Sequence, residues 1–123
     1  MDSIVVDFRS EAYDSALAKL IEIEKEKPYV NTAFSLHDIS RSLNIPHIRV
    51  TTCFSKQLKV SFPSYRNKLR VEHATELFRS GAHLNTSIEG IAAMSGFKSK
   101  SIFYTAFKAE YGMTPIDWIK ENL

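Results

Sequence analysis

Residues 86–118 read TSIEGIAAMSGFKSKSIFYTAFKAEYGMTPIDW, the pattern of two helices joined by a tight turn and followed by the start of a third. Thr86 is expected to cap the first helix, with Glu89 as its reciprocal partner three residues later. Gly96 can adopt the left-handed conformation that ends this helix, and Ser99 can cap the second. Two short helices around a glycine turn, the second with a polar and basic outer face, are typical of a helix-turn-helix that enters a DNA major groove.

An earlier stretch, residues 35–65, repeats this pattern. Asn44 takes the place of Gly96 in the turn, and Phe54 takes the place of Phe107 in the second helix. Apolar positions match apolar positions throughout once one extra residue is allowed in the later copy, which indicates a structural repeat. Two copies are too few for a solenoid, which needs at least three.

Two more helix starts carry capping signals. Ser35 and Asp38 are predicted to form a capping box at the start of the earlier copy, and Thr114 and Asp117 are predicted to form one before the last helix. Pro115 is favoured in the first turn of a helix, which strengthens the second of these predictions.

The later copy resembles the signature of the AraC/XylS family of bacterial transcription regulators in its run GFKSKSIFYTAFKAEYGMTPIDW, residues 96–118. That signature has a Gly-Phe turn, an aromatic-x-x-x-Phe-Lys core and a Gly-x-Ser/Thr-Pro ending. The resemblance covers about residues 17–119. It implies an all-α fold of about seven helices, with two helix-turn-helix motifs in a homeodomain-like pair joined by a long connecting helix. The implied function is sequence-specific binding of double-stranded DNA in successive major grooves, which regulates bacterial transcription.

The resemblance and the helix signals together predict the domain organisation. The predicted segments are a tail or linker over residues 1–9, a first helix-turn-helix subdomain over about 10–64, a connecting helix over about 62–80 and a second subdomain over about 82–123, so that the DNA-binding domain fills 10–123. Most members of the AraC/XylS family carry a separate sensing or dimerising domain. The chain is therefore expected to be either a stand-alone regulator or the output domain of a longer protein.

Composition and charge agree with this interpretation. A chain of 123 residues with 44% apolar residues suits one globular domain. It has no 18-residue apolar run and no signal-peptide pattern, so we expect a cytoplasmic segment without membrane contact. The net charge is only +2, but residues 47–123 carry +5 and residues 1–46 carry −3. The basic part of the chain begins where the first recognition helix is predicted to begin, as DNA binding requires.

The outward faces of the two recognition helices supply the candidate DNA-binding residues. They are Ile48, Arg49, Thr51, Thr52 and Lys56 in the first helix, and Lys98, Ser99, Lys100, Ser101, Tyr104, Thr105 and Lys108 in and just before the second. Ile48 either touches a thymine methyl group or packs against a neighbour, and Arg49 either contacts guanine or binds phosphate. Lys56, Lys98 and Lys108 flank the strips that face the bases, so we expect them to meet phosphates.

Three positions depart from the AraC/XylS pattern. Many relatives have arginine where this chain has Thr52 and Thr105, so strong guanine contacts are not expected at these two sites. Lys59 replaces the glycine that usually follows the first recognition helix, which leaves the turn conformation there open.

The connecting helix carries Arg66, Lys68 and Arg70, which are expected to remain available to solvent or phosphate. Arg70 also matches the Arg-x-x-x-Ala element of the AraC/XylS family, in which the arginine supports an interface. We therefore expect Arg70 to be structural and not to read bases. Gly81 is predicted to end this helix.

No pattern in the sequence indicates catalysis. The four histidines lack metal-ligand spacing, and the chain has neither a phosphate loop nor a dinucleotide fingerprint, so we predict no enzyme activity, no metal and no cofactor. Cys53 is either a small buried residue or a reactive thiol, and its match to Ala106 favours burial.

The hypothesis that competes with DNA binding is a helical protein-interaction module with Ile48, Tyr104 and Phe8 as contacts. The expected partners are double-stranded DNA and RNA polymerase.

Overall fold

The computed structural model describes residues 18–123, and every regular element within that range is helical. The helices are α1 (18–24 of the described part), α2 (Leu36–Leu43), α3 (His47–Thr52), α4 (Phe62–Arg79), α5 (Ile88–Met94), α6 (Lys100–Tyr111) and α7 (Pro115–Asn122). Short 3-10 turns lie at Pro28–Val30 and Ala82–Leu84. The predicted all-α fold of about seven helices is confirmed. The expected tail over residues 1–9 lies outside the described residues.

The chain divides into two compact units. The first contains the described residues up to Pro28 together with Phe34–Phe62. The second contains Tyr29–Ala33 and Pro63–Leu123, so a five-residue segment from early in the chain belongs to the later unit. None of the helices in residues 18–123 has both the length and the apolar character needed to cross a bilayer.

In the first unit, α2 begins at the predicted capping box. The Ser35 hydroxyl oxygen accepts the amide hydrogen of Asp38, and the Ser35 amide donates to the Asp38 carboxylate at 2.9 Å. Asn44 ends the helix in the left-handed conformation with φ 57°, which asparagine tolerates better than most residues with a side chain. The buried apolar side chains of this unit are Leu20, Phe34, Ile39, Leu43, Val50, Cys53 and Phe54.

The end of α3 departs from regular helical geometry. Residues Cys53–Leu58 continue the helix as a π-helical segment, which is rare outside single-turn insertions. Lys59 then adopts the left-handed conformation with φ 58° and ψ 32°. The sequence does not decide the conformation of the turn at Lys59. In the structure Lys59 adopts the left-handed conformation that is usual for glycine.

In the second unit, buried aromatic rings hold the helices together. The core consists of Val71, Ala74, Phe78, Ile91, Ala92, Phe97, Phe103, Phe107 and Trp118. The ring of Trp118 in α7 lies 6.0 Å from Phe78 in α4 and 6.3 Å from Phe107 in α6. Gly81 ends α4 with φ 85°, as predicted. One side of α6 is thus fixed in the core, and its opposite side faces outward.

Two capping predictions in this unit need correction. The cap of α5 is Ser87 and not Thr86, and its hydroxyl oxygen accepts the amide hydrogen of Gly90 at 3.0 Å. The helix therefore begins one residue later than predicted. Gly90 occupies the third helical position, where a capping box needs a side chain that accepts from the amide of the cap residue, so no capping box forms. At α7, Thr114 accepts the amide hydrogen of Asp117 at 3.1 Å, which is one half of the predicted box.

Candidate nucleic-acid interface

The turn between α5 and α6 sets the direction of α6. Gly96 has φ 98°, and the amide of Phe97 donates to the carbonyl of Ala92 at 2.9 Å, a carbonyl at the end of α5 that also accepts from the Ser95 amide at 3.2 Å. The Ser99 hydroxyl oxygen then accepts the amide hydrogen of Ile102 at 3.1 Å and begins α6. Two short helices joined by a tight glycine turn are the local geometry of a helix-turn-helix.

The predicted second-motif residues share the outer face of α6 and the turn before it. The exposed ones are Lys98, Ser99, Lys100, Ser101, Thr105 and Lys108. Tyr104 is half-buried, because its ring packs against the core, and the Nζ of Lys100 lies 5.5 Å from the centre of that ring. The Ser99 oxygen already accepts the capping bond described above. Ser99 therefore combines a structural role with its predicted place at the interface.

An open concavity lies along this face. It is lined by Lys100, Ser101, Tyr104, Thr105, Lys108 and Thr114. The sequence predicts Thr114 only as a helix cap, and no local pattern indicates that it borders the same surface as α6. Its place there follows from the short connection between α6 and α7, since Gly112 ends α6 two residues before it.

The first-motif residues lie on the outer face of α3 and of the π-helical segment after it. Arg49, Thr51 and Lys56 are exposed, whereas Thr52 is half-buried. Ile48 is 71% exposed, so its apolar side chain does not pack in the core of its own unit. Val50, on the inner side, is buried and fixes the orientation of the helix.

The end of α2 and the turn before α3 contain residues that are not among the candidate DNA-binding residues. A second concavity there is lined by His37, Ser40, Arg41, Asn44, Ile45 and Pro46. The His37 and His47 rings lie 5.7 Å apart, and both side chains are exposed. A basic residue in the last turn of α2 was a signal for this extension, since Arg41 precedes the turn by three residues. Within residues 18–123, no group of three or more potential metal ligands comes together.

The threonines at positions 52 and 105 make the same internal hydrogen bond in the two motifs. The hydroxyl of Thr52 donates to the carbonyl of Ile48 at 2.8 Å. The hydroxyl of Thr105 donates to the carbonyl of Ser101 at 3.1 Å. Both bonds run to the residue four positions earlier, so each hydroxyl hydrogen points back along its own helix.

Arg70 and Cys53 are both buried. Arg70 is only 5% exposed, so the expectation that it stays available to solvent or phosphate is wrong, while its expected structural role fits this burial. Burial, together with the nearby charge of Arg66, lowers the pKa of Arg70 to about 10, which leaves it charged at neutral pH. Cys53 is buried as well, and its burial raises the pKa of the thiol. Because the thiolate is the reactive form, the raised pKa makes the Cys53 thiol poorly reactive.

Comparisons with known proteins agree with this geometry. A family model described as a helix-turn-helix domain matches residues 39–121. The lactose operon transcription activator of Staphylococcus xylosus is 25% identical over an alignment of 101 residues that covers 79% of this chain and 35% of that protein. The chain thus spans about a third of the length of this relative.

Solved structures are similar over most of the chain. The C-terminal domain of AraT, a response regulator from Geobacillus stearothermophilus, is 26% identical with a TM-score of 0.65, over 79% of this chain and 78% of that one. The DNA-binding domain of the global transcriptional factor AdpA, solved in complex with a target DNA, is 16% identical with a TM-score of 0.72, over 85% of this chain and 90% of that one. At that identity the likeness to AdpA shows the fold alone.

Proposed function

The chain belongs to the AraC/XylS family of helix-turn-helix domains, and on this premise we propose that it regulates bacterial transcription by sequence-specific binding of double-stranded DNA. The observation that carries the proposal is the two-sided character of α3 and α6. Each helix is fixed by buried side chains on one side and exposes basic and small polar side chains on the other. A helix of this kind fits the major groove of DNA.

The exposed residues divide into two roles. Lys56, Lys98 and Lys108 stand at the ends of the two faces, where a flexible ammonium group meets phosphates and adds affinity without sequence preference. The base-reading strips lie between them. They are Ile48, Arg49, Thr51 and Thr52 in α3, and Lys100, Ser101, Tyr104 and Thr105 in α6. Ser99 contributes as the cap that fixes the start of the second strip.

The relatives support additional partners. AraT is named a response regulator, and the lactose operon activator is much longer than this chain, so a regulatory domain in a longer protein is a supported partner. A transcription regulator also acts on RNA polymerase, which we propose as the second protein partner. The place of action would then be the bacterial cytoplasm. No part of the proposal requires a cofactor or catalysis.

Selection from random DNA, followed by binding at several salt concentrations, tests the proposal. We expect enrichment of one motif and an affinity that falls steeply with salt, because phosphate contacts release counterions. Footprinting of the monomeric protein on the selected site should show protection in two segments of major groove. Failure to enrich any sequence, together with an affinity that salt hardly changes, would instead support the protein-interaction module.

A further inference from the structure

The paired threonine hydrogen bonds carry an inference about which base the two motifs prefer. Thr52 and Thr105 stand at equivalent places in the repeat, four residues after Ile48 and Ser101. Each donates its hydroxyl hydrogen to the carbonyl of that earlier residue, at 2.8 and 3.1 Å. Because both hydroxyl hydrogens are used in this bond, the two side chains present the same groups to a partner, a hydroxyl oxygen and a methyl group.

A threonine hydroxyl has a single hydrogen, so a bond to the helix backbone leaves it unable to donate elsewhere. Guanine O6 and N7, adenine N7 and thymine O4 all need a donor, and a threonine in this state does not offer one. The hydroxyl oxygen can still accept a hydrogen bond, and the methyl group is the part of the side chain that can make apolar contact, on an exposed residue at Thr105 and a half-buried one at Thr52. Among the four bases, only thymine presents a methyl group in the major groove.

We propose that Thr52 and Thr105 recognise thymine through their methyl groups, an inference that rests on the DNA-binding function proposed above. In α3 a second aliphatic group is present, because Ile48 lies on the same helix face as Thr52 and exposes its side chain. The matching position in α6 is Ser101, which has no methyl group. The half-site that α3 reads is therefore richer in thymine contacts than the half-site that α6 reads.

Deoxyuridine gives a direct test, since it differs from thymidine only by the missing methyl group. In the site selected by the wild-type protein, each thymine is replaced singly by deoxyuridine and the dissociation constant is measured. At one position per motif we expect a loss of about fourfold, the value for one buried methyl-sized group. A second sensitive position, assigned to Ile48, is expected in the half-site of α3 alone.

Matched variants assign the contact to the threonine methyl group. Thr105→Val keeps a methyl group and removes the hydroxyl, whereas Thr105→Ser keeps the hydroxyl and removes the methyl group. We expect Thr105→Val to keep the sensitivity to deoxyuridine and Thr105→Ser to lose it at that position only. The same pair at Thr52 should behave alike. Thermal melting of each variant checks that the substitution, at exposed Thr105 or half-buried Thr52, leaves the fold intact.

The outcomes separate this inference from the proposed function. Steeply salt-dependent, sequence-specific binding in which no thymine position responds to deoxyuridine would overturn the methyl recognition and leave DNA binding in place. A loss of preference in Thr105→Val that Thr105→Ser does not share would show that the hydroxyl reads the base, which also overturns it. Absence of specific DNA binding in the wild-type protein would overturn both.

Discussion

Arg70 binds the main chain at Tyr29, 41 residues earlier in the sequence, through a hydrogen bond from its Nε to the Tyr29 carbonyl at 2.6 Å. The Nη2 atom of the same guanidinium donates to the carbonyl of Asn31 at 2.9 Å. These two carbonyls and, at 3.5 Å, that of Thr32, all in the segment 29–33, thus accept hydrogen bonds from one buried side chain of α4. This explains why that segment belongs to the second unit although it precedes most of the first unit in the sequence.

Replacing Arg70 should destabilise the second unit. We expect Arg70→Met to lower the free energy of unfolding by about 2–3 kcal/mol, because it removes the hydrogen bonds that Arg70 donates to the Tyr29 and Asn31 carbonyls. Arg70→Lys should recover little, since an ammonium group lacks the planar fork that reaches both carbonyls. Urea denaturation measures the effect, with Lys68→Met as an exposed control on the same helix. Equal losses for the two methionine variants would contradict the role given to Arg70.

Gly96 is expected to tolerate no side chain. A Cβ atom there would lie 2.5 Å from the Tyr29 carbonyl oxygen and 2.7 Å from the Nε of Arg70, and the backbone has φ 98°. Gly96→Ala should therefore cost about 3 kcal/mol or more, combining backbone strain with a forced displacement. Gly112→Ala is the matched control. Its φ is 73°, but no atom lies within 4 Å of the added Cβ, so only the strain of about 1–2 kcal/mol remains.

The flanking lysines should supply affinity and little preference. Replacing Lys56, Lys98 or Lys108 singly by alanine should weaken binding to selected and random DNA alike, and lower the slope of affinity against salt by about one. Binding at four or more salt concentrations measures that slope. Lys120→Ala, on the exposed side of α7, serves as the control and should leave it unchanged. A Lys108→Ala variant with an altered motif and an unaltered slope would show that Lys108 reads bases.

Arg49 is the only arginine in either base-reading strip, and its exposure leaves the guanidinium free to reach a guanine. Arg49→Ala should relax the selected motif at one base pair, at a cost of about 1–3 kcal/mol there. Selection from random DNA with both proteins measures this directly. Arg49→Lys keeps the charge and loses the bidentate geometry, so it should relax the same position. An unchanged motif in Arg49→Ala would make Arg49 a phosphate contact.

Short-range signals in the sequence predicted the helix boundaries well. The capping box of Ser35 and Asp38, the cap at Ser99 and the left-handed residues at Asn44 and Gly96 all form as expected. Each depends on hydrogen bonds or backbone angles within a few residues. The exposed strips of α3 and α6 were also predictable, because helical periodicity alone decides which residues oppose the buried ones.

Features that depend on distant contacts could not be predicted in this way. The docking of segment 29–33 requires Arg70, and no local pattern links the two. The π-helical end of α3 likewise has no signature in the composition of Cys53–Leu58. The start of α5 differs from the prediction by one residue because Thr86 and Ser87 are adjacent and can both cap a helix. Which base each exposed side chain contacts remains a prediction.

The left-handed backbone positions have a consequence for local opening of the protein. Of those with positive φ among residues 18–123, Lys27, Asn44 and Lys59 lie in the first unit, whereas Gly81, Gly96 and Gly112 lie in the second. The first unit bears the steric cost of a side chain at these three positions, whereas the three left-handed positions of the second unit are glycines and bear none. Backbone amides of α2 and α3 should therefore exchange with deuterated water sooner than those of α6, through partial unfolding that leaves the aromatic core of the second unit closed.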